Sequence, residues 1–306
     1  MTVYEKLCRR PAVFRNLTGL SLDEFETLYQ QLVDDLERYD ETRLEQHERQ
    51  RAVGAGRRYD HDARDRLLMA MIWLRVYPTY EVLGFIFDLD KSNICRNLKG
   101  VLTVLREQLG DEVKWPDQAR RKQKMDQFMQ EFPDVAAIVD ATEQPTQRPK
   151  DPEAQQDHYS GKKRRHTLKN QIVVGPDGEI MDHSATVPGS RHDKKLYDER
   201  GVSERLNDDE AMMGDSGFQG IQKDHRAVLP DKKPKGGELT DAQKARNRRI
   251  SHYRIVVENT ICQLKTFRVL AHVYRHPRAS HGDVFAVVAA LVNRRIRRRP
   301  LRQVAV

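Results

Sequence analysis

The sequence predicts an α/β protein with a helical N-terminal part, and three stretches carry this prediction. The apolar run at residues 135–139, bounded by Pro133 and Pro145, is short and favours a buried strand over a helix. A second short apolar run at 211–213 leads towards a glycine-rich turn. Apolar residues between 250 and 267 recur instead at helical spacing. Short strands followed by a long helix are typical of an α/β core.

The length and charge of the chain limit its organisation and its partners. With 306 residues it is long enough for two domains. The predicted segments are a helical domain at 1–115, a connecting helix at 116–132, the α/β domain at 133–300 and a tail at 301–306. The net charge of +8 and the pI of about 9.3 favour a polyanionic partner.

The sequence gives no sign of a membrane segment or of a cysteine-based site. Apolar runs stay shorter than the roughly 18 residues of a membrane span, and the N-terminus lacks the order of a signal peptide. Cys8, Cys95 and Cys262 are scattered without C-x-x-C spacing, so neither zinc nor a disulfide framework is indicated. We expect a soluble, cytoplasmic, nucleoid-associated protein without a membrane partner.

The N-terminal domain is predicted to consist of helices. The sequence S-L-D-E at 21–24 is a capping-box pattern that starts one of them. A helix at 79–87, a turn at 88–91 and a helix at 92–109 have the spacing of a helix-turn-helix within a predicted range of about 79–109. A helical hairpin that only packs against the rest of the domain is the alternative.

The helix-turn-helix interpretation assigns roles to particular polar residues of its second helix. This helix would enter the major groove with its first turns facing base edges. Asn93, Arg96 and Asn97 are then the candidate base readers, and Lys91 and Lys99 are candidate phosphate contacts.

Turn and loop signals outline the α/β domain. A Pro-Asp-Gly turn joins strands at 166–175 and 179–187 into a hairpin, and residues 151–158 before them are predicted to be a loop. A helix at about 190–206 and a further strand at 226–229 complete the predicted mixed sheet of five strands with helices.

Asp140 is the first candidate site residue. It ends the first apolar run, and a buried carboxylate is costly unless it is paired. Because strand side chains alternate, Thr142 and Gln144 share its face while Glu143 points to the other. The partners of Asp140 must therefore come from elsewhere in the chain.

Asp215 and Glu258 are the candidate partners. Asp215 ends the second strand, and Glu258 shares a helical stripe with Arg254 and Lys265, since residues four and seven apart lie on one face. Strand-end aspartates and a helical glutamate supply the oxygen ligands that Mg²⁺ takes. Two such ions about 4 Å apart can clamp the attacking and leaving oxygens of a phosphodiester.

Each of these carboxylates also has a structural interpretation. Asp140 could cap a turn, Asp215 could initiate one, and Glu258 could be an ordinary surface charge paired within its helix. Asp193 fits a capping box with Ser190 at least as well as it fits an additional acidic position of the site.

Four motifs that follow one another along the chain connect these residues. They are I-V-D-A-T-E at 138–143, G-S-R-H-D at 189–193, G-D-S-G-F at 214–218, and Arg254 with Glu258 and Lys265. Together they resemble the DDE transposases of bacterial insertion sequences, in the group related to eukaryotic Harbinger elements. The resemblance covers nearly the whole chain and implies an RNase H-like catalytic core.

The resemblance also implies an activity. It is that of a transposase that binds the terminal inverted repeats of a mobile DNA element and catalyses metal-dependent strand cleavage and strand transfer. Asp140, Asp215 and Glu258 would be catalytic and would hold two Mg²⁺ or Mn²⁺ ions, while Arg254 and Lys265 would contact DNA. The alternatives are a catalytically silent, transposon-derived DNA-binding protein and an RNase H-like nuclease of another purpose.

Basic residues and partners follow from the same interpretation. The run Lys162, Lys163, Arg164 and Arg165, together with Lys169, is predicted to follow the DNA backbone, with a solvated strand edge as the alternative. The expected partners are double-stranded DNA of the element ends and of the target, and further copies of the chain in a homo-oligomer on the DNA ends.

Overall fold

The computed structural model describes residues 2–45 and 61–298. The chain forms two compact units. The first is Met1–Gly110, Lys265–Ala271 and Asp283–Val288, and the second is Asp111–Leu264, His272–Gly282 and Ala289–Val306. The predicted tail at 301–306 lies outside the described residues.

Helices occur throughout the described residues. The α-helices there are α1 (Val3–Cys8), α2 (Pro11–Thr18), α3 (Leu22–Glu45), α4 (Ala63–Val76), α5 (Tyr80–Phe87), α6 (Lys91–Gln108), α7 (Gln118–Phe128), α8 (Pro152–His158), α9 (Asp193–Glu199), α10 (Asp241–Lys265) and α11 (His281–Arg297). Every helix in the described part of the chain is too short or too polar to span a bilayer.

The first unit is built around α4, which is buried on nearly all sides. Leu67, Met71 and Leu74 are fully buried, as expected for a central helix of a helical domain. The predicted capping box at the start of α3 is confirmed. The backbone N–H of Ser21 donates to Glu24 over 2.8 Å, and that of Glu24 donates to the Ser21 hydroxyl over 3.2 Å.

The helix-turn-helix spacing is confirmed by α5 and α6. Thr79 caps α5 by accepting a hydrogen bond from the N–H of Val82. The helix ends at Asp88, whose φ of 53° is left-handed and reverses the chain before Asp90 leads into α6. Aspartate is one of the few residues other than glycine that enters this region, because its short polar side chain can bond to the local backbone.

The second unit contains the sheet. Its strands are β1 (Val135–Pro145), β2 (Tyr159–Ser160), β3 (Arg165–Val174), β4 (Ile180–His183), β5 (Val187–Pro188), β6 (Ala211–Met213) and β7 (Ala227–Val228). The order is β2-β3-β1-β6-β7, with β4 and β5 also paired to β3. β1 runs antiparallel to β3 and parallel to β6, and β6 runs parallel to β7.

This mixed sheet with helices confirms the predicted α/β class and is consistent with an RNase H-like core. The sheet has seven strands where five were predicted. The predicted strands are all present, and the additional ones, β2 and β5, are two-residue pairings along β3.

The two faces of the sheet are covered by different parts of the chain. One face buries Val139, Val173 and Met212 against Tyr197 and Phe218 in an apolar cluster. On the other face, Asp140 contacts Arg254 of α10. Both α10 and α11 also bind the backbone of the β3–β4 hairpin. The hydroxyl of Thr260 donates to the carbonyl of Gly178 over 2.9 Å, and the Asn293 amide both accepts from and donates to the backbone of Ile180.

The prediction of a loop at 151–158 is wrong, because this segment contains α8. Asp151 caps the helix by accepting from the N–H of Ala154 over 2.8 Å. Pro152 occupies the first helical position, where proline needs no N–H partner. These two local signals are enough to start a short helix in a polar sequence.

The predicted helix at about 190–206 is shorter and interrupted. It comprises α9 and a separate 3-10 turn, Val202–Arg205. Gly201 lies between them with a left-handed φ of 58°, which ends the helical path.

Candidate active site

Asp140 lies in the middle of β1, so its prediction as a strand-end residue is wrong. The apolar half of β1 pairs with β6 as far as Ile138 opposite Met213, whereas pairing with β3 continues to Pro145 opposite Thr167. Asp140 therefore lies just beyond the residues of β1 that pair with the parallel strand β6. The apolar run predicted only the part of β1 that has a paired strand on each side.

The Asp140 carboxylate is enclosed and has a cation beside it. Its side chain is 17% exposed, and Oδ2 accepts a hydrogen bond from Nη2 of Arg254 over 3.1 Å. Burial raises the pKa of Asp140, Arg254 lowers it, and the negative charges of Asp215 and Asp193 raise it, with a net increase. The fold thus brings Asp193 and Asp215, which are far from Asp140 in sequence, within electrostatic reach of it.

Asp193 and Asp215 approach each other around Gly217. The backbone N–H of Gly217 donates to Oδ1 of Asp215 over 2.7 Å. A Cβ atom at Gly217 would lie 3.0 Å from Oδ1 of Asp215 and 3.2 Å from Oδ2 of Asp193. A side chain at position 217 would press on both carboxylates, which would have to move by a few tenths of an ångström.

The capping-box interpretation of Asp193 is wrong. The N-cap of α9 is His192, without a side-chain cap, and Asp193 is the first helical residue. Its carboxylate instead binds Nζ of Lys169 over 2.8 Å. Ser190 takes no part in the cap, since its N–H donates to the carbonyl of Asp157.

Lys169 does not join the exposed basic run, contrary to the prediction. Its side chain is 8% exposed and lies 2.8 Å from Asp193 and 4.0 Å from Glu143. The hydroxyl of Thr167 also donates to Glu143. The pairing of β1 with β3 is regular from Ile138 to Pro145, which confirms that Glu143 and Asp140 point to opposite faces.

Glu258 lies near Arg254, whose Nη2 also contacts Asp140. It lies on α10, its side chain is 54% exposed, and its carboxylate is 4.0 Å from Arg254. Arg254 therefore stands between Asp140 and Glu258. Lys265 is the last residue of the same helix.

The donor chemistry at this place suits a hard divalent cation. Asp140, Asp193 and Asp215 offer carboxylate oxygens, the ligand class of Mg²⁺, and their repulsion contributes to the raised pKa of Asp140. The hydroxyl oxygen of Thr142, two residues along β1, is buried without a hydrogen-bond partner in the described residues. Within those residues, however, no three acidic, His or Cys side chains are arranged to hold a metal. A bound cation would take over the charge compensation that Arg254 now gives Asp140.

A polar network continues from Gln144 on the same strand. Nε2 of His281 lies 2.7 Å from Oε1 of Gln144, and Nδ1 lies 2.7 Å from the hydroxyl of Thr186. We assign the imidazole as a donor to Gln144 and an acceptor from Thr186, which is the neutral form. Burial lowers the pKa of His281 to about 4.

The stability of the protein is therefore expected to fall as the pH drops from 6.5 towards 4. In that interval His281 is protonated in the unfolded chain but stays neutral in the folded protein. This difference in proton binding favours unfolding by up to about 3 kcal/mol. The variant His281→Asn removes this contribution. Chemical denaturation of both proteins between pH 4 and 7 should show their difference in unfolding free energy shrinking as the pH falls.

His252→Asn, which makes the same replacement at an exposed histidine of α10, is the matched control. A constant difference between the wild type and His281→Asn at all pH values would show that His281 is not held neutral by burial.

The predicted DNA-binding residues of α6 lie at its start. Lys91, Arg96 and Lys99 are exposed, while Asn93 and Asn97 are half-buried. Arg96 bonds back to the carbonyl of Ser92 over 3.3 Å, so its guanidinium is held along the helix.

The basic run spans the turn between β2 and β3 and the first residue of β3. Lys162, Lys163, Arg164 and Arg165 are all exposed. Arg164 adopts a left-handed φ of 52°, which belongs to the tight reversal. Three of the cations thus lie in the turn that follows β2, and Arg165 begins β3.

Comparisons with known proteins agree on both parts of the chain. Residues 139–293 match the family model described as DDE superfamily endonuclease, and residues 62–111 match helix-turn-helix of DDE superfamily endonuclease. The chain is 31% identical over 241 residues to a protein of Microchaete diplosiphon named probable transposase for insertion sequence element IS702, covering 78% of the chain and 82% of the relative. No solved structure shows a significant match.

Proposed function

Since the chain belongs to the DDE superfamily endonucleases, as a transposase of an insertion sequence, we propose that it binds the terminal inverted repeats of its element and performs both strand cleavage and strand transfer. The observation that carries the proposal is the grouping of Asp140, Asp193 and Asp215, with Arg254 linking Asp140 to Glu258. These residues come from β1, from the turn after β6, and from the helices α9 and α10.

Recognition of the element ends is assigned to the helix-turn-helix. Asn93, Arg96 and Asn97 read base edges in the major groove, and Lys91 and Lys99 bind phosphates. All five belong to the first half of α6, which is the part of a recognition helix that meets the bases.

The catalytic carboxylates are assigned to Asp140, Asp215 and Glu258, with Asp193 as an additional acidic residue. They hold Mg²⁺ or Mn²⁺, in a site of two ions. When bound, the ions supply electrostatic stabilisation of the oxygens that attack and leave the phosphorus.

Two displacements use the same site. In the first, the oxygen of water bonds to phosphorus, the bond from phosphorus to the 3′ oxygen breaks, and a 3′ hydroxyl is freed. In the second, that hydroxyl attacks a target phosphodiester, joins it and releases the target's own 3′ oxygen. Arg254 holds the Glu258 carboxylate in place, and Lys265 binds a flanking phosphate.

Contacts outside the carboxylates complete the proposal. The exposed run Lys162, Lys163, Arg164 and Arg165 binds the DNA backbone without regard to sequence. A homo-oligomer assembles on the two ends, because both must be joined to one target.

The direct test is cleavage of duplexes taken from the DNA that flanks the gene. The wild-type protein with Mg²⁺ should cut at one position at each terminal repeat, and chelation by EDTA should stop the reaction. Replacing Asn93, Arg96 and Asn97 by alanine should remove the preference for repeat over scrambled duplex, since each base contact contributes about 1–3 kcal/mol. Cleavage is followed on end-labelled strands.

The other outcomes distinguish the alternatives. Selective binding without cleavage in Mg²⁺ or Mn²⁺ would identify a DNA-binding protein that has kept the fold. Equal cleavage of repeat and scrambled duplexes would identify a nuclease of another purpose.

A further inference from the structure

The exposed side of α10 forms a continuous stripe that leads to Glu258. Lys244, Arg248, Ser251, Ile255 and Glu258 follow one another at spacings of four and three residues, which places them on one side of a helix. All five are exposed, whereas the buried side of α10 carries Ile250, Val257, Thr260 and Leu264. We call the five exposed residues the α10 stripe.

The two cations of the α10 stripe are not engaged in strong contacts. Arg248 has neither an ion pair nor a side-chain hydrogen bond within the described residues. Lys244 has only an exposed pair with Asp241, at 3.3 Å, and such pairs contribute little. The other arginines of the helix lie beside carboxylates of other segments or of the helix itself. Arg246 pairs with Asp231, and Arg249 lies 3.8 Å from Glu131.

The charge pattern along the helix suits a polyanion. No acidic residue interrupts the sequence between Asp241 and Glu258, so a negatively charged ligand meets no repulsion before Glu258. Ser251 and Ile255 fill the middle of the stripe with neutral side chains, and Ile255 is 45% exposed. A neutral, partly apolar surface can pack against deoxyribose between two charged contacts.

The spacing corresponds to that of a nucleic acid. At 1.5 Å per residue, Arg248 lies about 15 Å and Lys244 about 21 Å before Glu258 along the axis. At about 3.4 Å per nucleotide of a strand, these distances equal about four and six nucleotide steps.

We propose that the α10 stripe binds the sugar-phosphate backbone of the substrate DNA on one side of the scissile phosphate, with Arg248 about four and Lys244 about six nucleotides away. This inference rests on the proposed function, because it takes Glu258 to mark the place of cleavage. It assigns a DNA contact to residues outside the carboxylate group and outside the helix-turn-helix.

The first experiment compares neighbouring arginines of the full-length protein. Binding of a labelled duplex containing the terminal repeat is measured in EDTA by fluorescence anisotropy over a series of salt concentrations. Arg248→Gln should reduce the slope of log affinity against log salt by about one, and Lys244→Gln with Arg248→Gln by about two. Arg249→Gln is the matched control, since its side chain points about 100° away on the same helix, and its slope should not change.

The second experiment locates the contact on the DNA. Duplexes are shortened to three or seven nucleotides from the boundary between the terminal repeat and its flank, which is the expected cleavage position, on each side separately. The wild type should lose affinity with the shorter duplex on one side only, and the double variant should be insensitive to that shortening. Equal thermal melting of all variants verifies that they are folded.

Equal salt slopes for Arg248→Gln and Arg249→Gln would overturn the inference, as would a wild type insensitive to shortening on both sides. Neither readout depends on cleavage. If the wild type binds DNA with these properties but does not cut it, the proposed catalysis is rejected and the DNA contact of the α10 stripe stands. If the wild type cuts normally but the salt slopes of Arg248→Gln and Arg249→Gln are equal, only the DNA contact of the α10 stripe is rejected.

Discussion

Replacing Asp140 by asparagine is expected to lower the rate of DNA cleavage by at least about a thousandfold, the equivalent of several kcal/mol of transition-state stabilisation. Asparagine keeps the size of the side chain and removes the charge on which cation binding depends. Glu258→Gln should have a similar effect. Because ligands of one site act as a unit, the double variant should lose little more than either single one. Single-turnover cleavage of a labelled terminal repeat measures all three.

Asp134 provides the control for Asp140. It lies just before β1, its side chain is 49% exposed, and it pairs with Arg226 over 2.7 Å. Asp134→Asn should cut at the wild-type rate. Near-normal cleavage by Asp140→Asn would exclude it from the site, and near-normal cleavage by Glu258→Gln would make Asp193 the next candidate.

The largest loss of stability is expected from Glu210→Ala. Glu210 receives two hydrogen bonds of 2.9 Å from Arg121, and the side chains are 3% and 8% exposed. Removing the glutamate leaves a buried guanidinium without its anion, which costs about 3–5 kcal/mol. Urea denaturation should show this as a lower midpoint with an unchanged slope.

Glu199 offers a matched ion pair on the surface. Its two oxygens lie 2.5 and 2.7 Å from Arg191, but both side chains are 40% exposed. Glu199→Ala should therefore cost less than about 1 kcal/mol. Similar losses for Glu199→Ala and Glu210→Ala would show that burial does not determine the contribution of these pairs.

The features that could be predicted from the sequence depend on local patterns. The apolar run before Asp140, the Pro-Asp-Gly hairpin and the helical periodicity around Glu258 each reflect neighbours within one element, and the corresponding strand, hairpin and helix are present. The family likewise follows from motifs that are short and ordered.

The features that could not be predicted depend on contacts between distant segments. Ser190 and Asp193 have capping-box spacing, yet Lys169 from β3 takes the Asp193 carboxylate. Asp140 was expected at the end of a strand, but pairing with β3 extends beyond the apolar residues. The ion pair between Asp140 and Arg254 joins residues whose separation gives no local signal. The roles of these residues in catalysis remain predictions.

Gly217 limits how the sequence can change without loss of the acidic group. Any side chain there would start 3.0 Å from one carboxylate oxygen and 3.2 Å from the other, so at least one of Asp193 and Asp215 would have to shift. Gly161, in the turn that carries the basic run, has no heavy atom within 4 Å of such a Cβ. A side chain at position 161 therefore meets no steric obstacle. At position 217, by contrast, the methyl group of an alanine would disturb two carboxylates and would add no charge in their place.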